Sequence, residues 1–132
     1  MDWEWHVINW YTINIIILKR GIMTEKKIKV VLVCAAGMSS SLLEEKIRQA
    51  AAAAGKEMEL KAVDSTTISM WNYEQNLMDV ILVAPQVRFK KRSILEQSAP
   101  FGVIVQDIDT IAYGMVDGEL IFKQVMDALE EK

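Results

Sequence analysis

Short apolar runs alternate with amphipathic stretches along most of the chain. Nearly continuous apolar runs occupy residues 28–33, 80–84 and 101–105, and they are rich in β-branched side chains. Such runs are typical of strands that are buried on both faces, as in a parallel sheet. Residues 58–63 alternate apolar and polar positions, which predicts a further strand between the first two runs. The pattern therefore predicts four strands.

Four helices are predicted between and after these strands. The first is stopped by Gly55 as a left-handed cap, and a short second helix runs from Ser65-Thr66-Thr67 to about residue 76. Pro85 opens the third helix and Pro100 ends it. A loop with Gly114 and Gly118 leads to the last helix. The apolar stripes of the first and last helices are Leu43, Ile47, Ala50, Ala51 and Ala54, and Ile121, Val125, Ala128 and Leu129. We also expect Met70, Trp71 and Leu77 to lie in the core.

Apolar strands that alternate with helices predict an α/β domain: a four-stranded parallel sheet, doubly wound, with helices on both faces. Ligands of open parallel sheets bind at the carboxyl ends of the strands. Cys34, which directly follows the first apolar run, is predicted to lie at that edge.

Composition narrows the class of protein further. The chain has 132 residues, 15 basic and 18 acidic, with 52% hydrophobic and 25% charged residues. This length and balance predict one globular domain and exclude a disordered chain. The formal net charge of −3 gives no basic footprint for nucleic acid, so we expect no nucleic-acid partner. The single cysteine allows no internal disulfide, and one cysteine with one histidine argue against a zinc site of His and Cys ligands. We expect neither a metal nor a cofactor.

Residues 1–22 differ from the rest of the chain. They contain three of the four tryptophans and the run Ile13-Asn14-Ile15-Ile16-Ile17-Leu18. The clean apolar stretch is far shorter than the roughly 20 residues that a membrane helix needs. The charges of Lys19 and Arg20 follow the apolar stretch, whereas a secretory signal has them in front. We expect this segment, with its lone His6, to be an extension outside the domain, either disordered or upstream of a native start at Met23; contact with a membrane or a partner is the alternative.

The segment after the first strand carries the candidate chemistry. Cys34 is followed by Ala35, Ala36, Gly37, Met38, Ser39, Ser40 and Ser41, and then by a predicted helix. Free amides and the helix dipole at such a place stabilise an anion, either a thiolate or a bound phosphate. The loop therefore predicts a phosphate cradle around a nucleophilic sulfur. A small buried cysteine beside a cluster of capping serines is the alternative.

The same loop lacks the residues that other phosphate and thiol chemistries require. A nucleotide-binding P-loop needs Gly-Lys-Ser/Thr, which the chain lacks, and a thioredoxin-like pair needs a second cysteine. A cysteine phosphatase of low molecular weight needs an arginine six residues after the nucleophile, where this chain has Ser40. Without that bidentate clamp, a persistent phosphocysteine is favoured over rapid hydrolysis. A phosphoryl carrier is the first hypothesis; a phosphatase and a non-catalytic binding domain stay open.

Three segments resemble one family in the right order. Residues 33–43 (VCAAGMSSSLL) resemble the phosphocysteine loop of phosphotransferase system (PTS) enzyme IIB components of the lactose/cellobiose or chitobiose type. Residues 83–87 (VAPQV) resemble its third strand and following turn, with Ala84 where glycine is common, and 113–118 (YGMVDG) resemble the loop before its last helix. The similarity covers about residues 27–130. It implies a flavodoxin-like fold, similar to the low-molecular-weight phosphatases, and a IIB domain over residues 23–132.

The resemblance also implies a phosphoryl relay for uptake of a sugar. Cys34 would accept a phosphoryl group from a phosphohistidine of a IIA partner and pass it to a sugar bound in a IIC membrane permease. The sugar would be a β-disaccharide such as cellobiose, chitobiose or lactose. Amides of Ala35 to Ser41 would hold the phosphoryl oxygens, and Gln86, Tyr113 and Asp117 would shape the rim. The protein would be cytoplasmic and would meet the membrane through the permease. The basic group Arg88, Lys90, Lys91 and Arg92 is interpreted as a solvated helix face that could meet an acidic partner.

Overall fold

A computed structural model describes residues 27–35 and 41–131. In chain order the elements are β1 (Ile28–Cys34), α1 (Ser41–Ala53), β2 (Met58–Asp64), α2 (Ser65–Ser69), β3 (Val80–Val83), a 3₁₀ turn (Pro85–Lys90), α3 (Lys91–Ser98), a second 3₁₀ turn (Ala99–Phe101), β4 (Ile104–Asp107), α4 (Thr110–Gly114) and α5 (Gly118–Glu131). The predictions about residues 1–22 and about Ala36, Gly37, Met38, Ser39 and Ser40 lie outside the described residues.

The four strands form one parallel sheet in the order β2-β1-β3-β4. The central strands are almost wholly buried, because helices cover both faces of the sheet. On one face, α1 and α5 pack over Val30, Leu32 and Leu82. On the other face, α2 and α3 pack over Val31, Val33 and Ile81. The predicted fold class, a doubly wound α/β sheet of four parallel strands, is confirmed.

The two long helices, α1 and α5, make the closest contact between helices. A side chain at Gly118 would bring its Cβ within 2.3 Å of the Lys46 carbonyl carbon, so only glycine lets the two backbones approach this far. At its other end α1 stops as predicted: Gly55 has a φ of +72°, and the amide of Lys56 donates to the carbonyl of Ala51 at 2.9 Å. These two glycines therefore fix the position and the length of α1.

The segment after β2 differs from the prediction. The helix expected through residue 76 ends at Ser69, and Asp64 rather than the Ser-Thr-Thr triplet caps it, by accepting from the Thr67 amide at 2.7 Å. The chain then leaves the helix because Asn72 Oδ1 accepts from the Gln75 amide at 3.1 Å, a turn that competes with helix formation.

The early end of α2 also changes the core. Met70 and Leu77 are 76% and 58% exposed, so the expectation that they are core residues is wrong. Trp71 is half-buried, and its Nε1 donates to the carbonyl of Asn76 at 3.0 Å.

Two further boundaries shift around the last strand. The strand predicted at 101–105 begins at Ile104 and runs to Asp107, because Phe101 closes a 3₁₀ turn and Gly102 takes a left-handed φ of +70°. The Phe101 ring stacks on Tyr73 with centroids 5.5 Å apart. The helix that Pro85 opens starts as a 3₁₀ turn and becomes α-helical only at Lys91.

The loop predicted before the last helix contains the additional helix α4. Asp109 begins it by accepting from the Ala112 amide at 3.1 Å. Gly114 is therefore helical rather than part of a loop.

Candidate active site

The candidate nucleophile lies at the carboxyl end of β1, as the sequence predicts. Cys34 is the last residue of β1, Ala35 follows it half-buried, and α1 begins at Ser41. β1 ends at Cys34 because the β-branched run is followed by small residues, which cannot fill the core. The helix α1 begins at Ser41, just before the first residue of its apolar stripe. The positive end of this thirteen-residue helix lies at Ser41.

The sulfur of Cys34 is held against the neighbouring strand. Cys34 is 5% exposed, and its Sγ donates to the carbonyl of Val63 on β2 at 3.6 Å. The register places Cys34 directly opposite Asp64, so this contact follows from the parallel pairing of β1 with β2. Hydrogen bonds from a thiol are weak, so the contact orients the sulfur without locking it in the protonated form.

Two of the three rim candidates meet beside the cysteine. Tyr113 on α4 packs against the core cluster that contains Cys34, and its side chain is hydrogen-bonded to that of Gln86 in the turn after β3. Partial burial raises the pKa of Tyr113 above its ordinary value of 10.0, negative charge on Cys34 raises it further, and the Gln86 hydrogen bond opposes both. Tyr113 therefore keeps its proton at neutral pH and can donate a hydrogen bond to an anion.

Asp117, the third rim candidate, makes a contact of a different kind. Its Oδ1 accepts from the Leu120 amide at 3.0 Å, which caps the first turn of α5. This cap fixes the start of α5 next to Gly118, where α5 meets α1. Asp117 thus supports the helix that packs on α1, rather than contributing its carboxylate to the tyrosine and glutamine pair.

At the same edge of the sheet, two of the basic residues singled out in the sequence contact Thr110 and Asp107, which sequence reasoning missed. Arg88 donates to Thr110 Oγ1 at 2.9 Å, and Lys91 Nζ bonds Asp107 Oδ2 at 3.0 Å. These contacts tie the segment after β3 to the segment after β4. The signal for Thr110 was the capping residue Asp109, which predicts a helix start at Thr110, three residues before Tyr113.

Over residues 27–35 and 41–131, no helix is long and apolar enough to cross a membrane. In that same part of the chain, no three His, Cys, Asp or Glu side chains come together in a way that could hold a metal ion.

Comparisons with known proteins identify the family of this chain. The family "PTS system, Lactose/Cellobiose specific IIB subunit" matches residues 29–124. The oligo-β-mannoside-specific EIIB component of Bacillus subtilis (strain 168) is 32% identical over 101 residues, which cover 76% of this chain and 95% of that protein. The galactose-specific EIIB component of Lactococcus lactis subsp. cremoris (strain MG1363) is 36% identical over 94 residues, which cover 70% and 87%.

Solved structures give the same answer. The solution structure of a cellobiose-specific phosphotransferase IIB component from Borrelia burgdorferi superposes with a TM-score of 0.64 at 32% identity, over 82% of this chain and 96% of that one. The lactose-specific IIB domain from Streptococcus pneumoniae shares the fold, with a TM-score of 0.67 at 19% identity over 78% and 98%. With its cysteine at the end of β1 and a match over most of its length, this chain belongs to the lactose/cellobiose-specific IIB family of the phosphotransferase system.

Proposed function

We propose that Cys34 is the phosphoryl carrier of this IIB component. The Cys34 thiolate attacks the phosphorus of a phosphohistidine on a IIA protein; the S–P bond forms as the N–P bond breaks, and the histidine nitrogen leaves with the electron pair. A sugar hydroxyl in a IIC permease then attacks the same phosphorus; the O–P bond forms as the S–P bond breaks, the thiolate leaves with the electron pair, and the hydroxyl proton passes to solvent. The observation that carries the proposal is the position of the chain's one cysteine at the carboxyl end of β1, beside Tyr113.

The phosphoryl oxygens need donors, and the site offers two kinds. Backbone amides between Ala35 and Ser41 are proposed to hold them, assisted by the positive end of α1. Within this segment the proposal rests on the sequence alone for five residues: Ala36, Gly37, Met38, Ser39 and Ser40. The neutral hydroxyl of Tyr113 is proposed as a further donor, and Gln86 orients it through their hydrogen bond. Asp117 acts at the rim only through its cap on α5.

The substrate class follows the relatives. Their names specify oligo-β-mannosides, galactose and cellobiose, and we propose that this chain serves uptake of a β-disaccharide such as cellobiose, chitobiose or lactose. Its partners are then a IIA phosphohistidine protein and a IIC permease. The chain would act in the cytoplasm, at the inner face of the membrane where the permease lies.

The functional domain is proposed to comprise residues 23–132, with 1–22 outside it. The family match over 29–124 supports this boundary. Removing residues 1–22 should therefore leave the midpoint of urea unfolding and the rate of phosphorylation unchanged. A lower midpoint in the shortened chain would place the segment inside the domain.

Phosphorylation through the relay tests the proposed carrier directly. The chain is incubated with phosphoenolpyruvate, the two general relay proteins and the IIA protein, and the labelled residue is located by mass spectrometry. We expect the label on Cys34 and none on Cys34→Ser. Tyr113→Phe removes the proposed donor without removing the ring, so it should still be labelled but more slowly.

Two results would contradict the proposal. One is a label on any residue other than Cys34. The other is sustained hydrolysis of an aryl phosphate that disappears in Cys34→Ser, which would make the chain a phosphatase even though Ser40 stands where the clamp arginine is required.

A further inference from the structure

The short helix α4, which carries Tyr113, has little packing of its own to hold it in place. Of its five residues, all of which the structure describes, only Ala112 is buried, and Ile111 is 69% exposed. A helix of this length is not stable in isolation. A single buried methyl group gives it little apolar contact with the core. The position of Tyr113 therefore depends on polar contacts of α4 as well as on the packing of its own ring.

Among the described residues, two side-chain hydrogen bonds join α4 to the 3₁₀ turn that follows β3. One links Gln86 with Tyr113, and in the other the Arg88 guanidinium donates to Thr110 Oγ1 at 2.9 Å. Thr110 and Tyr113 are three residues apart in α4, so both bonds leave the same side of this helix. A single bond would let a short helix pivot about it, whereas two bonds fix its orientation. The bond between Arg88 and Thr110 thus holds the start of α4, nearly one turn before Tyr113.

We propose that Arg88 is a positioning residue for phosphoryl transfer: through Thr110 it holds α4 so that the Tyr113 hydroxyl stays beside Cys34. The inference rests on the proposed function, in which that hydroxyl donates to the phosphoryl group on Cys34. In this role Arg88 acts on α4 and does not touch the phosphoryl group. The guanidinium is suited to it, because it stays charged throughout the physiological pH range and presents its donors in one plane.

Thr110→Val tests the role of this hydrogen bond, because it removes the acceptor and leaves the charge of Arg88 in place. Thr110 is exposed, so the variant should fold. The rate at which Cys34 is labelled is measured in single turnovers over a series of phosphorylated IIA concentrations. The rate at saturating IIA should fall about three- to tenfold, because a misplaced donor stabilises the transition state less. The IIA concentration at half-maximal rate should not change. Thr110→Ser keeps the acceptor and should restore the wild-type rate.

A second substitution shows whether the bond acts through the tyrosine. In a Tyr113→Phe background no hydroxyl is left to position, so Thr110→Val should cause no further loss of the saturating rate. A loss of equal size in both backgrounds would overturn the proposal. NMR of the Tyr113 ring carbon supplies a readout that needs no transfer. Cys34→Ser should change the pKa of Tyr113 less in the Thr110→Val chain than in the wild type, because the ring no longer stays beside the sulfur.

Arg92 supplies a matched control for the loss of a positive charge. Its side chain is 91% exposed and pairs with Glu96 one turn along α3, at 3.5 Å. Arg88→Gln should lower the saturating rate as much as Thr110→Val does, whereas Arg92→Gln should change it by less than about twofold. If Arg88→Gln lowers the rate and Thr110→Val does not, the guanidinium acts by its charge rather than through Thr110, and the proposal is overturned.

The outcomes separate this inference from the proposed function. If Cys34 is labelled equally fast in the wild type and in Thr110→Val, the positioning role is wrong and the carrier stands. If no label reaches Cys34 in any chain, the carrier is wrong, and the pKa comparison decides the inference. A smaller response of the Tyr113 pKa to Cys34→Ser in the Thr110→Val chain then supports the positioning of Tyr113, and an equal response in both chains overturns it.

Discussion

Replacement of Gly118 by alanine should destabilise the domain more than any other change of similar size. The added Cβ would lie 2.3 Å from the Lys46 carbonyl carbon, 2.4 Å from its oxygen and 2.7 Å from the Ile47 amide nitrogen. Ordinary van der Waals contact begins at 3.4 Å, so α5 must move away from α1 by about 1 Å. The obstacle is backbone inside a helix, which cannot rotate aside as a side chain can. The two helices therefore separate, or one of them is distorted.

The magnitude follows from the cost of overpacking. An extra methyl group in a packed interior costs roughly 1–3 kcal/mol, and a contact this short with backbone lies at the upper end, about 3 kcal/mol. For a domain of this size, 1 kcal/mol shifts the melting temperature by roughly 3–6 °C, so the expected drop is on the order of 10–15 °C.

Two other glycines of this chain supply matched controls for Gly118→Ala. Gly114 has open space around its Cβ position and lies inside α4, so Gly114→Ala should be neutral or stabilising by up to about 1 kcal/mol. Gly55 also has open space, but its φ of +72° is strained for alanine, and Gly55→Ala should cost about 1–2 kcal/mol. Thermal and urea unfolding of the three variants should therefore rank Gly118→Ala lowest, Gly55→Ala next and Gly114→Ala highest. Wild-type stability in Gly118→Ala would refute the close approach of α1 and α5.

Three further outcomes are expected. The pKa of Tyr113, followed by NMR of its ring carbon, should lie above 10.0. Cys34→Ser should lower this pKa because it removes the neighbouring charge, and Gln86→Ala should raise it because it removes the opposing hydrogen bond. A pKa that responds to neither substitution would contradict the position of Tyr113 beside these two residues. The backbone and side-chain hydrogen bonds of Thr67 hold the pKa of Asp64 below 3.8, so the Asp64 carboxylate stabilises the fold at neutral pH and this contribution is lost as the pH falls below 3.8. In urea unfolding, Asp64→Ala should therefore be less stable than the wild type at pH 7, and the two stabilities should converge in acid. Ile121 is fully buried, so Ile121→Ala should lower the free energy of unfolding by roughly 2–5 kcal/mol, and a loss of less than about 1 kcal/mol would contradict the packing.

The central features of the fold could be predicted from local patterns. β3 is buried throughout and β1 is buried from Val30 to Cys34, so both sequences are apolar apart from Lys29 near the start of β1, and no tertiary information is needed to recognise them. The position of Cys34 follows directly, because the residue after a buried strand lies at the edge of the sheet. The stripe of α5 was equally clear, and Ile121 and Val125 are both fully buried.

The segments that were mispredicted are those decided by side-chain contacts, local at 65–76 and distant in the chain at Phe101. The apolar and polar spacing at 65–76 fits a helix, but hydrogen bonds formed by Trp71 and Asn72 favour a turn after Ser69. Phe101 has high strand propensity, yet its ring stacks on Tyr73, which is 28 residues earlier in the sequence. Propensity describes neither side-chain hydrogen bonds such as those of Trp71 and Asn72 nor the stacking of Phe101 on Tyr73, and the stacking also depends on how the chain between β2 and β4 folds over the sheet.

The meeting of Gln86 with Tyr113 also depends on the order of the strands. β3 lies directly beside β1, which brings the turn that carries Gln86 to the end of the strand that carries Cys34. Four parallel strands can be ordered in several ways, and hydrophobic periodicity is the same for all of them. The residues could therefore be proposed from a resemblance, whereas their contact could be found only in the structure.

Val116 shows how the site imposes a backbone that local preference opposes. Its φ is +54°, a left-handed conformation that costs a β-branched residue about 1–2 kcal/mol. The amide of Val116 donates to the Tyr113 carbonyl at 3.2 Å, and the next amide, of Asp117, donates to the Ala112 carbonyl at 2.9 Å. These bonds end α4 in the arrangement that usually has glycine at the left-handed position.

The reason for the strain lies on either side of this turn. Before it, Tyr113 is held in the cluster around Cys34; after it, Gly118 is held against the backbone of Lys46. The chain must reverse its direction between Tyr113 and Gly118. A residue with a left-handed backbone makes that reversal possible within the four residues that separate them. A sequence pattern would place that turn at Gly114, but Gly114 lies inside α4. Packing on both sides therefore places the left-handed turn at Val116. Strained backbone of this kind is commonly found in functional sites, and Val116 lies close in sequence to Tyr113, which packs in the cluster that contains Cys34.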